Sequence, residues 1–412
     1  MADTSKTILY ITYDGLTDPL GQSQILPYVV HLSKLGFQFT IVSFEKKERF
    51  KKERDKIGAV IKQAGIEWMP LFFTRNPPLL AKLYDLLRMK SKVFGLVRKN
   101  QFDLIHCRSY IAAQIGLRAK KRFGVKILFD MRGFWADEKK DSGHWSSSLL
   151  YSWLYNYYKK KEKHFIMFSD AIVTLTYSAK REILTWNILS DINTKLYVIP
   201  CCADLTHFDW HRINSREKTH LKEKLQLDGR FPIICYLGSI GPTYGVKEMI
   251  LFFSELKKRF STAKFLFFTK DDDKSINAEI VKYPQISEND IACFFVSREE
   301  LPLFLSIVDY SIFFYKPSYS RIACSPTKFA ELTGMGIPVI CNAIGDLNEK
   351  FLNGTPTILV DRLSPELIKK VANDFDASGK ASKELARDFA LSHFSLERGV
   401  SMYETIYRNV FK

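Results

Sequence analysis

Between Arg321 and Ile340 the chain reads RIACSPTKFAELTGMGIPVI, where a helix start, two cations and a carboxylate fall at spacings that suit an anionic sugar compound. Ser325 stands where a side chain caps a helix and Pro326 where proline fills the first helical position, so the spacing predicts a helix ending at Gly334 and Gly336. The free N–H groups of its first turn, with the positive end of the helix dipole, favour a phosphate placed before Ser325 and Thr327. Lys328 offers a cation, Arg321 a second one ahead of the helix, and Glu331 an acceptor for sugar hydroxyls. Together these residues suit a nucleotide sugar. The plainer alternative is a capped helix between two buried strands, with its charges in solvent.

The elements that must position this group alternate along the chain. Apolar runs at 8–13, 37–43, 68–73, 104–107, 127–130 and 171–176 read as strands, with helical patterns between them at 23–35, 45–64 and 79–99. A strand from Leu196 breaks at Pro200, and a charged irregular stretch runs to Arg230. A second series then gives strands at 233–237, 265–269, 292–296, 310–314 and 338–341, helices at 246–259 and 299–308, and a last helix at 396–411. Strands alternating with helices imply two parallel, doubly wound sheets, with ligands at the carboxyl ends of the strands. A length of 412 residues likewise suits two domains.

Polar groups cluster at two strand ends of the first series. In Phe129–Glu138, Arg132 cannot act as a general base at pH 7, but it can hold a phosphate or carboxylate through two hydrogen bonds. Asp137 or Glu138 can orient an acceptor hydroxyl; alternatively either can pair with Arg132 and merely hold a loop. His106 and Arg108 follow a neighbouring strand and belong to the same rim, with Asp14 and Trp135. Glycines at 15 and 21 permit close approach of backbone N–H groups to a diphosphate.

The run Ser325–Glu331, followed by Gly336-Ile-Pro-Val-Ile340, resembles the donor-binding helix of glycosyltransferase family 4, in the branch reading Ser-Pro-x-Lys-x-x-Glu and then Gly-x-Pro-Val-Ile. Similar segments spread from residue 8 to 361. The resemblance implies an α/β GT-B fold: two Rossmann-like doubly wound parallel-sheet domains facing a cleft. Residues 1–200 would form the acceptor-side domain, 201–395 the nucleotide-sugar domain, and 396–412 a helix returning to the first. It implies that Gly21, Gly238 and Ser239 lie in loops against the donor, and that catalysis rests on Arg132, Glu138, Lys328 and Glu331. It also exposes departures. The loop arginine and lysine that bind diphosphate in many relatives are Ser239 and Tyr244 here, which leaves neutralisation to Lys328 and Arg321, with Lys247 as a third candidate. Ala323 occupies the position of the first of two glutamates, and Arg132 that of a histidine near the reacting sugar. The reaction implied is retaining, with the departing phosphate taking the acceptor proton, and needs no metal or other cofactor. Asp271-Asp272-Asp273 therefore reads as a solvated turn.

Charge adds a partner. Residues 1–200 hold 33 Lys and Arg against 18 Asp and Glu, whereas residues 201–412 hold 28 against 27, so the net charge of +16 lies almost wholly in the first half. Helical patterns at 79–99 and 149–163 set leucine, tryptophan and tyrosine beside lysine, as in helices that lie on an anionic lipid surface. Nucleic acid is excluded by the lack of zinc-finger spacing, RNA-binding aromatic motif or arginine-rich arm. Seven cysteines without CxxC spacing read as buried thiols of a reducing compartment. No signal peptide or 18-residue apolar run is found, which predicts a cytoplasmic protein, peripheral at the inner membrane face. The sequence thus predicts a glycosyltransferase that moves a sugar from a nucleoside diphosphate sugar to a lipid-linked carbohydrate in surface polysaccharide synthesis. A nucleotide-sugar 2-epimerase of the same fold and an inactive scaffold are the alternatives.

Overall fold

The computed structural model describes residues 6–74, 76–145, 148–376 and 383–412, which form two compact units. The first contains residues up to Cys201 together with Ile322–Cys324 and Leu396–Lys412. Its strands are β1 (Lys6–Thr12), β2 (Phe37–Glu45), β3 (Glu67–Phe72), β4 (Leu104–Arg108), β5 (Lys126–Asp130), β6 (Ala171–Thr174) and β7 (Leu196–Val198). They pair in parallel in the order β3-β2-β1-β4-β5-β6-β7. Apolar runs such as Ile8–Ile11 and Ile127–Phe129 are fully buried, because crossover helices cover both faces of a parallel sheet. The order reverses between β1 and β4, and the carboxyl ends of those strands are where such a sheet binds ligands.

The second unit spans Cys202–Arg321 and Ser325–Ser395. Strands β8 (Ile233–Leu237), β9 (Lys264–Phe268), β10 (Ile291–Phe294), β11 (Tyr310–Phe313), β12 (Val339–Asn342) and β13 (Ile358–Val360) lie parallel in the order β10-β9-β8-β11-β12-β13. Its reversal falls between β8 and β11.

Most strand and helix positions match the sequence reading to within two residues. The single helix expected at 23–35 is two, Pro19–Gln24 and Leu26–Lys34, because Pro27 cannot donate to the preceding turn. The short β13 and the helices Pro365–Asp374 and Lys383–Phe394 were not among the elements read from the sequence. The last helix, Leu396–Phe411, packs on the first unit, where Tyr407 meets Phe37 and Phe39 of β2, and Tyr403 meets Tyr28.

Candidate functional site

The switch point of the second sheet is occupied by Lys328. Its ammonium lies 4.4 Å from the centre of the Tyr236 ring, 4.5 Å from Tyr244, 5.5 Å from Phe313 and 5.6 Å from Tyr315. It also reaches the Tyr236 hydroxyl at 3.4 Å. Four aromatic faces thus surround one cation, where attraction to the ring quadrupoles replaces hydration. Gly238 makes the approach possible, since a Cβ there would fall 2.8 Å from Lys328 Nζ and its φ of +130° disfavours a side chain. Neighbouring loops fix the cage. Asn342 accepts from Tyr315 N at 2.8 Å and donates to its carbonyl at 3.0 Å, and the Tyr236 hydroxyl donates to Ser239 O at 2.6 Å.

Arg321 lies in the short turn Tyr319–Ala323 beside this group, its guanidinium 5.3 Å from the Tyr315 ring centre and its Nε buried without a hydrogen-bond acceptor. Glu331 is buried and paired with Arg298 at 2.9 Å, a partner the sequence did not suggest. Arg298 lies over Phe208, so its guanidinium fixes the direction of the Glu331 carboxylate. The helix carrying Lys328 and Glu331 runs Thr327–Gly334, and Pro326 rather than Ser325 occupies its cap position. The expected Ser325 cap is therefore displaced by one residue: Pro326 has an extended ψ of 113° and helical geometry begins at Thr327. At its other end Arg387 donates to Gly334 O at 2.7 Å, satisfying an orphan carbonyl. Asp271 accepts from Ile240 N at 2.6 Å and so ties down the loop after β8.

In the first unit, Asp130 gathers the predicted basic residues. His106 Nε2 and Arg108 Nη1 each lie 3.5 Å from its Oδ2, Arg132 Nη1 lies 3.9 Å from Oδ1, and the Tyr403 hydroxyl donates at 3.1 Å. Asp14 stands 3.4 Å from Arg108 Nε. Asp130, which sequence reasoning missed, was legible only as the last residue of an apolar strand. Arg132 and Ser109, just beyond β5 and β4, have φ of +55° and +67°, strained values for non-glycine residues that recur at functional strand ends. Burial alone would raise the Asp130 pKa, but Arg132, His106 and Arg108 together hold it below the usual carboxylate range.

Several expected contacts fall elsewhere. Arg132 pairs with Asp130 and reaches Gln24 at 3.2 Å, so the pairing with Asp137 or Glu138 is corrected. Asp137 instead accepts from Tyr155 and Lys159, each at 2.8 Å, and Trp135 packs on Tyr110, Trp145 and Tyr158. Both side chains serve the packing of the helix Leu149–Phe168, whereas Glu138 is exposed. Two amides of the Gly15–Gly21 loop are already taken: the Leu16 and Thr17 N–H groups donate to the buried Glu45 carboxylate at 2.8 and 3.1 Å. Gly21 is needed because a Cβ there would meet Gly15 O at 2.0 Å. Ala323 belongs to the first unit's core, which accounts for the absence of a glutamate at that position.

Burial lowers the His106 pKa, with Asp130 opposing the shift only in part. The folded chain therefore resists a proton that the unfolded chain accepts near pH 6.5, and stability is full above that value and lost as pH falls below it. The melting temperature is expected to drop between pH 7 and 5, and His106→Gln to flatten that part of the profile in a pH-resolved thermal melt.

Both halves of the chain match known families. The Glycosyltransferase Family 4 profile matches residues 25–207 and the Glycosyl transferases group 1 profile residues 217–388. The chain is accordingly a GT-B glycosyltransferase made of these two domains. No curated protein sequence matches it. Among solved structures, Anabaena HepE in complex with UDP and glucose is 12% identical with a TM-score of 0.72, over 98% of this chain and 100% of that one. A glycosyltransferase from Rickettsia africae is 18% identical with a TM-score of 0.68, over 99% of both chains. The sucrose-phosphate synthase of Thermosynechococcus elongatus is 13% identical with a TM-score of 0.70, over 98% and 99%.

Proposed function

We propose that the protein is a retaining glycosyltransferase that binds a nucleoside diphosphate sugar in its second unit and a lipid-linked carbohydrate acceptor in its first, in the synthesis of a surface polysaccharide. The observation that carries this reading is the Lys328 ammonium, held at the reversal of the second sheet with Arg321 beside it. A departing diphosphate needs cations placed in advance, and preorganised charge is the main resource of an enzyme that lacks a strong base. Glu331, oriented by Arg298, binds sugar or ribose hydroxyls, and the helix start at Ser325–Thr327 supplies N–H donors to a phosphate. In the first unit Arg132 holds a phosphate or carboxylate of the acceptor, and the donor phosphate takes the acceptor proton. Metal plays no part in this scheme.

The lipid-linked acceptor is supported by a second feature. Among the described residues no helix is long and apolar enough to cross a membrane. Yet Leu80, Leu83, Tyr84 and Leu87 form an exposed stripe on the helix Pro78–Lys99, and Leu149 and Trp153 are 91% and 63% exposed on the helix Leu149–Phe168. Both helices flank the helix Ser109–Phe123. Crossover helices run against their strands, so these N-terminal halves lie at the carboxyl edge of the sheet, where Asp130 and Arg108 also end. Exposed Lys82, in the N-terminal half of the helix Pro78–Lys99, complements an anionic bilayer at the cytoplasmic face.

A thermal-shift screen with UDP, GDP, ADP, CMP and their sugar conjugates, with and without EDTA, tests the donor site. Stabilisation by one nucleoside diphosphate, unchanged by EDTA, is the expected result. No stabilisation of a cooperatively melting protein would return the scaffold reading, and conversion of the sugar nucleotide without an acceptor the epimerase reading. Sedimentation with phosphatidylglycerol vesicles at low salt should carry the protein down, and the combination Leu83→Glu, Leu87→Glu and Trp153→Glu should leave it in solution. A wild-type chain that stays in the supernatant removes the membrane from the proposal.

A further inference from the structure

The loop after β8 brings no cation to the switch point, since Ser239 is exposed with its carbonyl taken by Tyr236, and Tyr244 presents a ring. That ring is held from two sides. The backbone bridges Tyr244 to Tyr315, with Gly245 N donating to Phe314 O at 2.8 Å and Lys316 N to Thr243 O at 2.9 Å. The Tyr244 and Tyr315 rings then lie 4.8 Å apart, centre to centre. Lys328 faces both rings, and Arg321 leans on Tyr315. Both cations of the site therefore rest on one aromatic pair.

We propose that Tyr244, with Tyr236 and Tyr315, is a positioning residue that holds the Lys328 ammonium through its ring against the diphosphate of the donor. The inference rests on the nucleotide-sugar reading above and adds to it how this chain dispenses with loop cations. A lysine stem has four rotatable bonds, so an ammonium without the cage samples many positions, and a bound diphosphate must then order it. With the cage, that ordering is built into the fold. The ring supplies the attraction, and the hydroxyl is not required.

Calorimetric titration of the full chain tests this, using whichever of UDP, GDP or ADP stabilises the wild type together with the matching nucleoside as a phosphate-free probe. Tyr244→Leu should weaken the diphosphate about tenfold and leave the nucleoside unchanged, while Tyr244→Phe should recover most of the lost affinity. In turnover, Tyr244→Leu should lower kcat as well as raise KM, because charge on the diphosphate grows as the bond to the sugar breaks. A Tyr244→Leu variant that binds the diphosphate as the wild type does overturns the cage, as does a Phe variant no better than Leu. Equal weakening of nucleoside and diphosphate also overturns it, by showing a structural effect of the loop. A wild type that binds none of the three diphosphates overturns the nucleotide-sugar reading instead, and is distinguished by that.

Discussion

Lys328→Met is expected to lower turnover by about two to three orders of magnitude while the protein melts close to the wild-type temperature. The size follows from the role. Removing a preorganised donor aimed at developing charge costs on the order of 10²–10³ in kcat, about 3–4 kcal/mol of transition-state stabilisation. The site has little in reserve, because Ser239 and Tyr244 bring no cation to the loop after β8, and Arg321 is the second cation placed beside the cage. Methionine retains an apolar stem among Tyr236, Tyr244, Phe313 and Tyr315, so the rings keep their packing and lose only the ammonium. Alanine would open a cavity and mix the two effects. Steady-state rates with the donor selected by the thermal-shift screen, read beside a melting curve, decide the matter. A variant that turns over within threefold of the wild type takes Lys328 out of the reaction.

The sequence made the second site more legible than the first, for a physical reason. Lys328, Glu331 and the helix start belong to one continuous turn, so their relation is set by helix geometry and can be read from spacing alone. What surrounds them comes from elsewhere in the chain. Arg298 reaches Glu331 from beyond β10, and Tyr236 and Tyr315 converge on Lys328 from the ends of β8 and from beyond β11. Such convergence depends on strand order, which one sequence does not contain.

In the first unit residue type was legible and side-chain direction was not. Asp137 and Trp135 lie in a segment rich in polar groups, yet the helix Trp135–Asp141 turns them onto Tyr155, Lys159 and Tyr158. Gly15 and Gly21 mark close backbone approach, as glycines do, but the approach is of Gly21 to Gly15 and of the loop to Glu45. Glu45 is the last residue of β2, and nothing local foretells that its carboxylate is buried beneath a loop 28 residues away in sequence. The alternation of strands and helices, by contrast, fixes both sheets as parallel, and the paired register bears that out in every strand described.

Asp130→Ala is expected to destabilise the protein by about 3–5 kcal/mol, the range found when one partner of a buried ion pair is removed. Asp130 is 1% exposed, and Arg108 and His106, which lean on it, are each 2% exposed. Without the carboxylate, two guanidiniums remain close together in a low dielectric, and the Tyr403 hydroxyl loses its acceptor. The loss extends to the last helix, since Tyr403 anchors it at this point and Tyr407 does so through His106 at 2.7 Å. For a unit of this size such a change lowers the melting temperature on the order of ten degrees. Asp130→Asn keeps an acceptor oxygen for Tyr403 and should fall between alanine and wild type. Differential scanning calorimetry on the full chain reads the shift, and amide exchange should show the helix Leu396–Phe411 opening at lower free energy in the alanine variant. An Asp130→Ala protein that melts within two degrees of the wild type would mean that Arg108 and Arg132 are held by Asp14, Gln24 and solvent instead, and that Asp130 is not the centre of the group.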